Sequence, residues 1–365
     1  MNYKETLFFV AKCLTITLEE KNKLEIEEHL KNKEIDWDSV VKVSTQHYVF
    51  PALYCNLKRA NFLQYLPEEL VNYMIHITDL NRERNKQIIE QAIEINTLLL
   101  ANNITPIFLK GTGNLLEGLY EDIAERMVGD IDFIVSMEDF NISVDVLKEK
   151  KYSAKDEVYM NFHWHYPKMV KEGSIAAVEV HSKILKKPYT QFLDYKTIQK
   201  DSFSSNNCAV ASYENQFLIS ILQKQINDNL YYSKSIALRN VYDSFLLSFK
   251  IKKKNRIINN KKINKYLNNY KCCLSEILNS PSNINFTENK ESRKYLNSYL
   301  KIISNSKEEL YKVKILNSYI KIKDKVKILQ YSFTDKNYSD YTLRRLKNIN
   351  FYSKQLGLKK PNPNA

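Results

Sequence analysis

Apolar positions recur at helical spacing through the first hundred residues. Leu24, Ile26 and Leu30 form one run, and Ile88, Ile89, Ala92, Ile93, Ile95 and Leu98 make a broad apolar face. Glycine is absent there, turn signals are few apart from Pro51 and Pro67, and Asn102 and Asn103 offer a helix terminus. The pattern predicts a helical module over residues 1–100. The period then shortens: 104–109, 131–135 and 175–180 are brief apolar runs, the last rich in β-branched residues, and are predicted as strands. All but one of the six glycines lie between Gly111 and Gly173. Helices are predicted over 112–120 and 137–150, and Lys171, Glu172 and Gly173 supply the turn of a strand pair. Residues 101–200 therefore read as a small α/β unit with a mixed sheet. From Tyr213 the helical period returns through Phe217, Leu218, Ile221 and Leu222, then Val241, Phe245 and Leu246. Pro281, with serine and asparagine on both sides, places a loop within 275–290, and 359–365 reads as a frayed tail. The fold class expected is α+β, a small mixed sheet flanked by an N-terminal helical module and a C-terminal one over residues 201–365.

At 365 residues and 44% hydrophobic content the chain has material for two or three packed modules. No apolar run reaches the roughly 18 residues of a membrane span, and the stretch 7–16 is broken by Lys12 and lacks a basic leader. The expectation is a soluble protein in the cytoplasm with no membrane partner. Five cysteines, without CxxC spacing, fit a reducing compartment and form neither a disulfide framework nor a zinc ribbon. Cys272 and Cys273 can be a redox pair or ordinary core and surface residues. The net charge of +13 is uneven: basic residues number 12 against 15 acidic ones over 1–100, 13 against 15 over 101–200, and 30 against 12 over 201–365. Residues 250–271 hold nine basic residues and no acid. That run can contact a polyanion, or it reflects the Lys-, Asn-, Ile- and Tyr-rich composition of the whole chain.

Three short segments carry the candidate chemistry. In Asp130-Ile131-Asp132-Phe133 the alternation of a strand puts both carboxylates on one face and Ile131 and Phe133 on the other. Upstream, Ile107-Phe108-Leu109 runs into Lys110-Gly111-Thr112 and a helix. Gly111 permits close backbone approach to a ligand, the helix N-terminus presents free N–H groups to an anion, and Lys110 adds a point charge for phosphate. In Ala177-Val178-Glu179-Val180-His181, Glu179 and His181 share a face. Beside Asp130 and Asp132, Glu179 would complete a trio that repels itself unless a divalent ion neutralises it, and oxygen ligands select a hard ion such as magnesium.

These residues resemble the DNA polymerase β-like nucleotidyltransferase superfamily, and within it a family of largely uncharacterised bacterial nucleotidyltransferases. The resemblance runs from a helical lead-in near residue 80 through Phe108-Leu109-Lys110-Gly111, Arg126 and Asp130-Ile131-Asp132 to Glu179-Val180-His181, with a fainter echo in Leu238-Arg239 and Asp243. The gap from Gly111 to Asp130 is longer than in the superfamily's most familiar pattern, Thr112 stands where serine is usual, and Gln223-Lys224-Gln225 stands where the family has a histidine. The resemblance implies a nucleotidyltransferase core followed by helices. It makes Asp130, Asp132 and Glu179 catalytic ligands of two magnesium ions, with manganese the alternative, and Lys110, Gly111, Thr112 and Arg126 the nucleotide-binding residues. It also implies transfer of a nucleoside monophosphate from an NTP to an acceptor that is a small molecule, a protein or an RNA.

Arg126 can reach a phosphate or pair with an aspartate. His163, His165 and His181 form a paper zinc cluster, against the commoner outcome of satisfied or surface histidines. The C-terminal tyrosines can stack bases or pack helices. Two further readings stand beside the enzyme: an inactive protein of the same fold that binds nucleic acid through its basic C-terminal helices, and a helical scaffold in which the carboxylates only hold structure.

Overall fold

The computed structural model describes residues 1–32, 35–154, 165–251 and 258–347. Five helices come first: α1 (Tyr3–Cys13), α2 (Glu20–Lys31), α3 (Trp37–Gln46), α4 (Phe50–Arg59) and α5 (Glu68–Leu100). Asn2 and Glu5 close α1 with a capping box. In α5, Ile88, Ala92, Ile95 and Leu99 recur every three or four residues and are buried. The helix stops where the sequence places its end, with Asn103 in the left-handed region at φ 59°.

Seven strands follow: β1 (Ile107–Phe108), β2 (Asp130–Ile134), β3 (Ser153–Ala154), β4 (Met169–Val170), β5 (Ala177–His181), β6 (Phe203–Ser205) and β7 (Cys208–Val210). They lie side by side in the order β3-β4-β5-β2-β1-β7-β6. β2 and β5 run parallel, as do β1 and β7, and the other neighbours are antiparallel, so the sheet is mixed as expected. Helices α6 (Lys110–Leu116), α7 (Phe140–Glu149) and α8 (Tyr195–Lys200) connect strands. α9 (Tyr213–Leu222) passes directly into a π-helical turn, Gln223–Asn227, and α10 (Leu230–Ser233) and α11 (Leu238–Lys250) follow. α12 (Lys261–Ile277), α13 (Lys290–Ile303), α14 (Lys307–Ser332) and α15 (Lys336–Lys347) complete the described chain. The architecture is α+β with helices on both sides of the sheet in sequence.

The elements differ from their sequence expectations at the ends. β1 keeps two residues of its predicted run, because Pro106 has no N–H to give a ladder. α6 starts at Lys110 and ends at Leu116, before Gly118 at φ 70°. The β6–β7 hairpin was not predicted, although its signal is present: Asn206 and Asn207 both take positive φ, 51° and 61°, as a two-residue hairpin turn requires. The loop around Pro281 falls between α12 and α13 as read. The five cysteines, Cys272 and Cys273 included, are free and buried. Among the described residues no helix is long and apolar enough to cross a membrane. Of the basic run, Lys252, Lys253, Lys254 and Arg256 lie outside the described residues, as do His163, Trp164 and the tail 359–365.

One face of the sheet contributes Phe108, Ile131, Phe133, Val178 and Val180 to a core shared with residues from Leu7 to Ile303. The other contributes Ile107 and Ile134 to a second core with Leu218, Leu222 and Ile263. That second face also carries the polar residues of β2 and β5, and residues of α9 and α11 line a cavity with them. Burial of the apolar alternates thus fixes which way the acids point.

Candidate active site

The register of β2 and β5 sets Asp132 opposite Glu179, Asp130 opposite Ala177 and Ile134 opposite His181. Asp132 and Glu179 are 7% exposed and His181 is fully buried. One ligand atom from each of Asp132, Glu179 and His181 lies within 4.8 Å of the others, an arrangement able to hold a metal ion. His181 Nε2 is 2.9 Å from Asp132 Oδ1, while its Nδ1 is buried without a hydrogen-bond partner. Asp130 stands apart, at the mouth. Its carboxylate takes a 2.6 Å hydrogen bond from Lys168 Nζ, which also lies 3.6 Å from Glu179. The structure therefore brings Asp132 and Glu179 together and adds His181 to them, with Asp130 alongside in the same cavity.

Lys110 closes the group from the other side. Its ammonium donates to Asp132 Oδ1 at 2.7 Å and lies 3.7 Å from Glu179 Oε2. Burial works against that charge, but Asp132 and Glu179 outweigh it and hold the lysine above its ordinary pKa. The same contacts act on Glu179: burial favours its neutral form, yet the His181 hydrogen bond and the Lys110 charge hold it well below the usual carboxylate range. For His165, burial and then the neighbouring His181 push the pKa down.

The backbone of Lys110 takes φ 53°, a left-handed conformation that costs a lysine energy. Gln216 on α9 holds it there: its Oε1 accepts from the Lys110 N–H at 2.8 Å and its Nε2 donates to the Lys110 carbonyl at 3.4 Å. Of the glycines beside it, Gly113 is sterically required and Gly111 is closely packed. A Cβ on Gly111 would lie 3.0 Å from Val128 and 3.4 Å from the Arg126 guanidinium, and one on Gly113 would run into Gln216 and sit 2.8 Å from the Phe108 carbonyl. Thr112 is fully buried, and its hydroxyl donates to the Asp130 carbonyl at 3.0 Å, fastening α6 to the start of β2.

Of the two roles open to Arg126, the structure shows pairing with an aspartate, and the partner is Asp243 of α11. Both Nε and Nη2 meet that carboxylate at 3.0 Å, Nη1 donates to the Met127 carbonyl at 2.8 Å, and Tyr120 donates to Asp243 at 2.7 Å. Arg239, one turn earlier on α11, is less engaged. Its Nη1 donates to the Met127 carbonyl at 3.2 Å and its guanidinium sits 5.0 Å from the Tyr48 ring, but Nε is buried with no partner. Burial, with the like charge of Arg126, pushes its pKa down to about 10. Asn240 is 8% exposed, and its Oδ1 is likewise buried and unpartnered.

Lys110, Asp130, Asp132, Glu179, Arg239 and Asn240 line one cavity of about 350 Å³, together with Gln223, Lys224 and Asn227 of the π turn, and His181 is buried behind its acidic end. It has an acidic end at β2 and β5 and a basic and amide end at α11, a division suited to a ligand that carries both cation and phosphate. The sequence pattern singles out none of Lys168, Gln216 and Asn240. The available signal is a polar residue inside a buried apolar run, as with Gln216 before Phe217-Leu218 and Asn240 before Val241.

No curated protein and no solved structure matches the chain. Residues 33–275, about two thirds of the chain, match the family model described as uncharacterised nucleotidyltransferase. That stretch takes in every strand of the sheet and every side chain lining the cavity, and the chain belongs to the uncharacterised nucleotidyltransferase family.

Proposed function

We propose that the cavity transfers a nucleoside monophosphate from an NTP to an acceptor hydroxyl, with a magnesium or manganese ion, in the manner of the DNA polymerase β-like superfamily. The observation that carries the reading is the convergence of Asp132, Glu179 and His181 beside Lys110, in a cavity whose far end offers Arg239. The donor set fits a divalent cation: two carboxylates and an imidazole are close enough to share one ion, and among the described residues the lysines paired with these acids are Lys110 and Lys168. When bound, the cation neutralises phosphate charge and lowers the pKa of the attacking hydroxyl.

The protein's own groups do the rest. Lys110 and Arg239 supply positive charge to phosphate oxygens from opposite ends of the cavity, and the free Nε of Arg239 is a donor for one of them. Arg126, already neutralised by Asp243, keeps its role in positioning α11. The acceptor oxygen bonds to the α-phosphorus as the bond to the β-phosphate oxygen breaks and pyrophosphate leaves. Asp130, with a side chain 26% exposed against 10% for Asp132 and Glu179, has the access to water needed to take the hydroxyl proton and release it.

The test is incubation with each α-labelled NTP, a divalent cation and separate acceptor pools. Label transfer with pyrophosphate release is expected, and Asp132→Asn with Glu179→Gln should lower it at least ~10³-fold while leaving the melting temperature within a few degrees. Absence of cation-dependent nucleotide binding by the unmodified protein would sink the reading.

A further inference from the structure

The π turn Gln223–Asn227 has a cavity on each side. Gln223, Lys224 and Asn227 face the catalytic cavity, while Gln225 and Ile226 line a second one of about 180 Å³. Five ammonium groups surround this second cavity: Lys186 and Lys187 from the segment after β5, Lys262 from the first turn of α12, and Lys323 and Lys327 from α14. The acid among the lining residues is Asp324, and it is engaged, 3.8 Å from Lys186 Nζ and accepting from Asn229 at 3.4 Å. Lys187 turns toward Asp335 at 3.3 Å. Among the described residues no carboxylate lies within ion-pair distance of Lys262, Lys323 or Lys327.

Like charges around so small a space repel, and at Lys186 burial adds to the cost. Lys186 is held below the ordinary lysine pKa by burial, and the nearby charge of Lys327 adds to that effect. A bound anion relieves both terms. The space falls short of the ~300 Å³ at which small-molecule pockets begin, so it suits a phosphate group belonging to something longer rather than a whole NTP. Lysine, a point charge on a flexible stem, suits phosphate oxygens of a rotatable backbone better than a planar carboxylate. Tyr319, 57% exposed, stands at the edge of the cavity with the Lys323 ammonium 5.8 Å from its ring centroid, so a base stacking there would displace or share that contact.

We propose that this cavity holds a backbone phosphate of a single-stranded nucleic acid, and that the strand is the acceptor, its terminal hydroxyl reaching the catalytic cavity across the π turn. The proposal rests on the transferase reading and names its acceptor class. Transfer onto that hydroxyl forms one phosphodiester bond and releases pyrophosphate, with the proton leaving through Asp130 as above.

The experiment is fluorescence anisotropy of labelled single-stranded RNA and DNA, each about 12 nucleotides long, against the full chain at several salt concentrations. The variants are Lys262→Gln/Lys323→Gln/Lys327→Gln and, separately, Tyr319→Ala. All four side chains are exposed, so folding is retained, which a melting curve verifies. The lysine variant should bind at least ~10-fold more weakly, with the slope of log affinity against log salt reduced by about 0.7, the contribution of one single-strand phosphate contact. Tyr319→Ala should weaken binding about tenfold and leave the slope unchanged. Binding of a labelled NTP should be the same in every variant, since none of the four residues lines the catalytic cavity. Strand binding equal in the lysine variant and the unmodified chain, or an acidic peptide bound as tightly as RNA, would overturn the proposal. Loss of NTP binding in the unmodified chain would instead overturn the transferase reading while leaving strand binding measurable.

Discussion

At the residue scale, the site is held by side chains that force a few neighbours into costly states. Gly113 is the tightest case. Alanine there would place its Cβ 2.8 Å from the Phe108 carbonyl and against Gln216, which clamps Lys110, so both fold and site are affected. Gly113→Ala should cost about 1–3 kcal/mol in denaturant unfolding and reduce nucleotide affinity at the same time. His47 gives a pH prediction. Its Nδ1 accepts from the Leu238 N–H at 3.1 Å, satisfying an otherwise orphan donor at the start of α11, and burial pushes its pKa down to about 4. Between pH 4 and 6.5 the unfolded chain therefore binds more protons than the folded one at this position. Stability present above pH 6.5 is lost as pH falls through that window, by on the order of 2–3 kcal/mol, and His47→Gln should flatten the dependence when urea midpoints are compared across it.

At the scale of elements, the β2–β5 pair was readable in advance and its surroundings were not. Strand alternation fixes the faces of Asp130, Asp132, Glu179 and His181 without any knowledge of neighbours, so the acids could be placed on one side from spacing alone. Which residues then meet depends on register. Asp132 faces Glu179 and Asp130 faces Ala177, a difference of two residues along the strand that leaves no mark in the sequence and makes His181 the third member of the cluster. The helical contributions were harder still, because Gln216, Asn240 and Asp243 occupy positions a helical period alone assigns to an ordinary amphipathic face. Asp243 shows what such a position can be worth. Asp243→Ala leaves the Arg126 guanidinium buried without its carboxylate and should cost about 3–5 kcal/mol by chemical denaturation. Arg126→Met combined with Asp243→Leu should recover most of that loss, since the unpaired charge is what is expensive.

At the scale of the whole molecule, the sheet is small and its stability is borrowed from helices at both ends of the chain. The main core runs from Leu7 to Ile303, and Tyr270 and Tyr299 are among its fully buried side chains. Asn22 on α2 donates to the Leu278 carbonyl at 3.0 Å, and Lys21 to the Ser280 carbonyl at 2.9 Å. A chain cut after Asn260 should accordingly lose its cooperative thermal transition and bind a hydrophobic dye, although it keeps every strand and every carboxylate of the site.

The contact between Asn22 and Leu278 spans 256 residues. During synthesis at about 5–20 residues per second, the helix bearing Asn22 therefore waits roughly 13–50 s before its partner has even been made. Through that interval the apolar faces that meet α12 and α13 lack those partners, so depleting chaperones, or slowing or hastening translation over the last third of the chain, should change how much of it reaches the folded state.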